Sequence, residues 1–163
     1  MTGDIACDSY NQMHQDIAAA KELGLGYYRF SISWTRIVPD GKNTTKPNMK
    51  GIKFYNDTIN ELIAAGVEPL VTLFHWDTPL ALQEDFEGFN SSEIVDHYLY
   101  YADICFDYFG DRVKHWFTFN EPLTYCWLGH GTGVSAPGLF SLATGPYNCA
   151  HNMLLAHAAA YHR

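Results

Sequence analysis

Three glycines, Gly24, Gly66 and Gly110, divide this chain into units of nearly equal length. Each closes a stretch in which apolar residues return with a period near 3.6, and each opens within a few positions onto a strand-like run. The first stretch carries Met13, Ile17, Ala20 and Leu23, and the second Ile52, Tyr55, Ile59, Leu62 and Ile63. The third carries Ile94, Tyr98, Tyr101, Cys105 and Tyr108; it is expected to start at Asn90, with Glu93 as its capping-box partner. Glycine suits each stop because it enters the left-handed C′ conformation without a Cβ penalty. The strand-like runs are Tyr27 to Trp34, Val67 to Trp76 and Val113 to Asn120. A fourth helix is expected from near Asn148 through Met153, Leu154, Ala158 and Tyr161, and it reaches the chain end without a stop signal.

Helix-then-strand units at near-constant spacing predict parallel strands joined by crossover helices. Such units build either a doubly wound sheet or a (β/α)8 barrel. Doubly wound nucleotide folds carry a Gly-rich turn after the first strand. The turns here read Thr35-Arg36-Ile37, Asp77-Thr78-Pro79 and Glu121-Pro122-Leu123, and none can cradle a phosphate. The expectation is therefore an α/β chain forming a partial (β/α)8 TIM barrel, about strands 2 to 4 with flanking helices. A complete barrel needs about 250 residues. Residues 1–163 are thus expected to be one partial barrel domain, truncated at both ends.

Composition narrows the function classes. The chain is 47% hydrophobic and only 17% charged, which excludes a disordered or fibrous protein. Its net charge of −8, with no basic stripe, argues against a nucleic-acid partner and fits a neutral or cationic small substrate. No apolar run approaches the roughly 20 residues of a membrane span, and Met1-Thr2-Gly3-Asp4 does not read as a secretory leader. Aromatic residues make up 15%, enough to furnish either a large core or stacking surface for sugar rings. Cys7, Cys105, Cys126 and Cys149 show no metal spacing; isolated buried thiols are the expected state, with a disulfide the unassigned alternative. Sequons at Asn43, Asn56 and Asn90 lean weakly toward a secreted or lumenal protein, without excluding the cytoplasm.

In a barrel, the carboxyl ends of the strands line the active site. Here those ends present Ser33-Trp34, His75-Trp76-Asp77 and Asn120-Glu121-Pro122. Indole faces stack on pyranose rings, His and Asn bind hydroxyls, and a Glu can protonate a glycosidic oxygen if its surroundings keep a proton on it. On the first strand, Arg29, Ser31 and Ser33 alternate with Phe30, Ile32 and Trp34, so one face is polar. An Arg on that face implies a buried carboxylate to pair with, or else a tie between strands beneath the site. Asp77 reads as a turn or cap residue, and Glu84, Asp85 and Glu87 as solvated loop charges. His14, His97, His115, His130, His151, His157 and His162 show no metal spacing and read as solvated or supporting histidines.

The segments Ala6-Cys7-Asp8-Ser9-Tyr10, Tyr28 to Trp34, Leu73 to Asp77, Thr118 to Pro122 and Ser135 to Gly138 resemble, in order, those of glycoside hydrolase family 1, the β-glucosidase family. Asn-Glu-Pro alone is a weak signal, but in this order it is a strong one. The wording around the first two strands is similar to animal members. The resemblance implies a retaining β-glycosidase with no metal or cofactor, acting on a small β-glycoside. Glu121 would be the general acid and then the general base, and Asn120 would bind the 2-hydroxyl of the sugar in the −1 subsite. His75 would bind the 3-hydroxyl, Trp76 would wall the same subsite, and Arg29 would sit near the nucleophile. Three departures stand out: Glu87-Gly88-Phe89 replaces Gly-Gly-Trp, Asn11 replaces a His, and Leu123 lies where some members place a Trp toward the leaving group.

Retention needs two carboxyl groups about 5–5.5 Å apart, and this sequence supplies one. The family's first strand, its seventh-strand Glu-Asn-Gly nucleophile and its later Trp and Glu have no counterpart here. Two further readings follow: a catalytically inactive relative that binds sugar or protein, and a truncated product, inactive and poorly soluble on its own.

Overall fold

The computed structural model describes residues 6–163, so the reading of Met1 to Asp4 lies outside the described residues. Three parallel strands, β1 (Tyr27–Ser31), β2 (Glu68–Phe74) and β3 (His115–Phe119), stand side by side in sequence order. Register pairs Arg29 with Leu70, Ser31 with Thr72, and Thr72 with Phe117. Four longer helices alternate with them: α1 (Ser9–Glu22), α3 (Met49–Ala64), α5 (Ile94–Phe109) and α7 (Gly145–Tyr161). The parallel αβ order is the one the glycine spacing predicts.

Two of the three stops work as expected. Gly24 and Gly66, after α1 and α3, have φ of 67° and 78°. Gly110 does not: it caps α5 at φ −66°, still right-handed. The free carbonyl of Tyr108 there accepts a hydrogen bond from Arg112 Nη2 at 2.7 Å, so a side chain closes the helix in place of a left-handed residue. The start of α5 also differs from expectation. Gly88–Asn90 form a 3-10 turn, the Ser91 hydroxyl accepts from the Glu93 amide at 3.3 Å, and the helix begins four residues later without a capping box.

Three short helices escape the periodicity reading: α2 (Trp34–Ile37), α4 (Leu80–Phe86) and α6 (Pro122–His130). All three follow strands, and each is too short to display a period. For α6 a start signal is present, Pro122 in the first turn, where its missing N–H costs nothing.

The helix-facing side of the sheet is the core. Ile32, Val71 and Leu73 meet Ile59, Tyr98 and Tyr101, all of them buried. The Tyr101 hydroxyl lies 3.0 Å from the Ile32 carbonyl and 2.7 Å from the Leu73 carbonyl, bridging the ends of β1 and β2. Tyr98 donates to the Thr118 carbonyl at 2.7 Å and ties α5 to β3. Trp34 is fully buried and stacks on Tyr101 at 5.2 Å, so this strand-end indole serves packing and is closed to a sugar ring. Much of the aromatic surplus goes the same way: Phe74, Phe89, Phe109 and Tyr125 are also fully buried.

The expectation of four isolated thiols is corrected by a disulfide between Cys126 on α6 and Cys149 on α7, with Cα atoms 5.5 Å apart. Spacing along the chain gives no hint of this pair, because its closeness depends on α6, which the periodicity reading missed. Cys105 is a buried thiol as expected, its pKa pushed up by burial, and Cys7 is exposed. Both outer edges of the sheet lack a strand partner among the described residues. Beside β3, Phe119, Leu123, Met153 and Leu154 line an open apolar hollow of about 400 Å³.

Candidate active site at the strand ends

The carboxyl ends of β2 and β3 place His75, Trp76, Asn120 and Glu121 together, as the strand-end reading requires. The Asn120 amide donates to the Phe74 carbonyl at 2.9 Å, extending the sheet ladder one residue past β3. The Trp76 indole Nε1 donates to the Asn120 carbonyl at 2.9 Å, which joins the two strand ends side by side. His75 is exposed, with its ring edge-on to that of Trp76 at 6.3 Å. Glu121 is exposed and carries no side-chain hydrogen bond among the described residues, so its carboxyl group is available to a ligand.

Arg29 approaches from β1. Its Nε donates to Thr72 Oγ1 at 3.0 Å and its Nη2 to Asn120 Oδ1 at 2.8 Å, while the guanidinium lies 4.9 Å from the centre of the Phe117 ring. Of the two readings of this Arg, the tie between strands is the one seen here: it links β1, β2 and the end of β3, and no carboxylate pairs with it among the described residues. With Oδ1 taken by Arg29, the Asn120 carboxamide has its Nδ2 donors left for a ligand. Asn120 itself is only 7% exposed, so an unheld amide would be costly there.

Two residues of this group have unusual backbones. Trp76 has φ 74° and Glu121 has φ 44°. A left-handed conformation costs a residue with a Cβ roughly 1–2 kcal/mol, and such outliers gather where function over-determines geometry. Neither conformation can be read from sequence, since no glycine marks it.

Asp77 behaves as a cap, as its sequence context suggests. One carboxylate oxygen accepts from the Trp34 amide at 3.1 Å and the other from the His75 amide at 3.3 Å. It thereby fastens the loop after β1 to the loop after β2. Burial raises its pKa, against the lowering effect of these hydrogen bonds. Glu84, Asp85 and Glu87 are exposed, and Asp85 pairs with Lys42 at 2.6 Å.

Among the histidines, His14 pairs with Glu61, His115 lies 3.4 Å from Glu68, and His157 bonds the Thr118 hydroxyl at 2.8 Å. His130 departs from the solvated expectation. It is fully buried, neither ring nitrogen has a partner among the described residues, and burial lowers its pKa to about 4. Among the described residues there is no metal-binding cluster of His, Cys, Asp or Glu and no helix long and apolar enough to cross a membrane.

A parallel αβ sheet with polar and aromatic groups at its carboxyl ends defines part of a (β/α)8 barrel. Solved structures agree: a rice β-glucosidase superposes with a TM-score of 0.94 at 43% identity, over 98% of this chain and 35% of that one. A Thermotoga maritima β-glucosidase in complex with noeuromycin gives 0.94 at 45%, over 99% and 36%. The family model for glycosyl hydrolase family 1 matches residues 1–163, and the chain belongs to that family. Relatives include a benzoxazinyl glucoside β-D-glucosidase of Secale cereale, 50% identical over 97% of this chain and 29% of its own length. A furostanol glycoside 26-O-β-glucosidase of Hellenia speciosa is 52% identical over 97% and 30%. The chain thus spans about 30% of the length of these relatives. Both are plant proteins and do not bear on the animal-type wording of the first two strands.

Proposed function

We propose that the full-length protein carrying this segment is a retaining β-glycosidase of the β-glucosidase type, hydrolysing O-β-D-glycosidic bonds by double displacement. The observation that carries the reading is the Asn120-Glu121 pair at the end of β3, with Asn120 gripped by Arg29 at 2.8 Å and by Trp76 at 2.9 Å. Glu121 protonates the leaving oxygen and later deprotonates the attacking water. Asn120 donates through Nδ2 to the 2-hydroxyl, a contact that tightens as the oxocarbenium ion develops. His75 binds the 3-hydroxyl, Trp76 walls the −1 subsite, and Arg29 supports the nucleophile. That nucleophile is a carboxylate supplied by sequence beyond these 163 residues. The substrate is a small β-glycoside, and the chemistry calls for no metal.

The same reading extends to a secreted or lumenal location. It is supported by the disulfide between Cys126 and Cys149, since such bonds persist in oxidising compartments, and by the exposed sequon at Asn43.

Glu121→Gln in the full-length protein tests the assignment. We expect kcat/KM to fall by roughly 10²–10⁴ on glucosides with poor leaving groups, the usual worth of general acid catalysis. Activated aryl glucosides, which need no proton, keep their glycosylation rate. Unchanged kinetics on both substrates would sink the reading.

A further inference from the structure

We infer that Trp76 is a positioning residue for the acid/base carboxylate, acting through its indole N–H on the Asn120-Glu121 peptide as well as through its ring face. The inference rests on the acid/base role proposed for Glu121. Its starting point is the 2.9 Å hydrogen bond from Trp76 Nε1 to the Asn120 carbonyl. That carbonyl and the Glu121 amide belong to one planar peptide unit. Holding the oxygen therefore fixes the plane from which Glu121 departs, and with it the direction of the Glu121 side chain.

The restraint matters because Glu121 is in the left-handed region, at φ 44° and ψ 60°. Left to itself, a residue with a Cβ relaxes from there into the broad β or right-handed region. Neighbouring bonds hold other parts of the turn. The Asn120 amide is held by Phe74, the Asn120 side chain by Arg29, and the Glu121 carbonyl by the Tyr125 amide at 3.0 Å. The Asn120 carbonyl is held by none of these, and the indole holds it. Trp76 is itself left-handed, at φ 74°, and the loop is pinned on both sides of it: the Asp77 carboxylate accepts the His75 amide at 3.3 Å. Two strained strand ends are thus cross-tied by one hydrogen bond. A tryptophan needed only to wall the subsite would have no use for this N–H.

The role separates from a purely apolar one by its dependence on the leaving group. In the full-length protein, Trp76→Phe keeps an aromatic wall and deletes the N–H. We expect the loss in kcat/KM to be roughly 10-fold or more greater on alkyl glucosides than on dinitrophenyl glucoside, a fraction of the full worth of general acid catalysis. The alkaline limb of the pH–rate profile should move as well, since it reports the acid. Because the smaller ring can loosen packing, the benzothiophene isostere of tryptophan is placed at position 76 in parallel. It keeps the bicyclic shape without the N–H and should reproduce the pattern. Equal losses on both substrates, or wild-type behaviour of the isostere, would overturn the inference. Glu121→Gln run alongside tells the two failures apart. If it spares both substrates the acid/base reading falls, and if it alone shows the leaving-group pattern only the role of Trp76 falls.

Discussion

Arg29 and Asn120, 91 residues apart in the chain, meet at 2.8 Å where β1 and β3 flank β2. The same guanidinium holds Thr72 on the strand between them. One planar fork therefore spans the sheet and sets which atom of the Asn120 carboxamide faces a ligand. Lysine cannot copy this, because its ammonium is a single point donor on a flexible stem. For Arg29→Lys in the full-length protein we expect kcat/KM on β-glucosides to fall roughly 10- to 100-fold, the scale of a small misplacement at a reacting centre. Steady-state kinetics on two glucosides of different leaving-group ability would show the same loss on both. A loss confined to the poor leaving group would contradict this assignment.

His130 gives the fold a pH dependence whose sign can be worked out. Its pKa is lowered from 6.5 to about 4 by burial, partly offset by Glu87. Between those values the unfolded chain binds a proton that the folded chain refuses, so stability rises with pH across this window. The contribution is complete above about pH 6.5 and amounts to about 3 kcal/mol. Urea midpoints measured from pH 4 to 7 should climb accordingly, and His130→Phe should flatten that part of the curve. An equal slope in the variant would assign the dependence to other groups.

Glu87 sits at φ 64°, where the family usually places glycine. Among the described residues its side chain is held by the Asn90 amide alone, at 3.3 Å and in exposed surroundings. Glycine removes the Cβ penalty there, so Glu87→Gly should raise stability by about 1 kcal/mol. A thermal melt with no gain would mean that the Asn90 contact matches the strain.

The bridge between Cys126 and Cys149 closes a loop of 23 residues. A crosslink of that span restrains the unfolded chain by about 3 kcal/mol. Cys149→Ser should lower stability by a similar amount, and a reductant should do the same to the parent but not to the variant. An indifferent parent would show that the two sulfurs are not joined.

Legibility from sequence followed a physical divide. Gly24 and Gly66 mark real left-handed stops because a positive φ leaves a compositional trace. Gly110 misled because a side chain two residues on, Arg112, does the capping. The strand-end cluster was legible because parallel strands in register end at the same edge of the sheet, so the residues just past Phe74 and Phe119, namely His75, Trp76, Asn120 and Glu121, had to share a rim. What could not be read was any relation set by tertiary approach. The disulfide, the indole bond to Asn120, the seclusion of His130 and the inward turn of Trp34 each depend on neighbours far along the chain.

Two of the three sequons, at Asn43 and Asn56, also part company in the structure. Asn43 lies exposed in the loop before α3. Asn56 lies within α3, where its side-chain Oδ1 accepts from Arg112 Nη1 at 2.7 Å and the Thr58 hydroxyl of its motif is buried, donating to the Phe54 carbonyl. An oligosaccharide on Asn56 would have to be attached before that helix docks, and would then keep it from docking. Its presence on a purified molecule would be a time stamp, marking chains that lingered unfolded within reach of the transferase, while sugar on Asn43 would carry no such history.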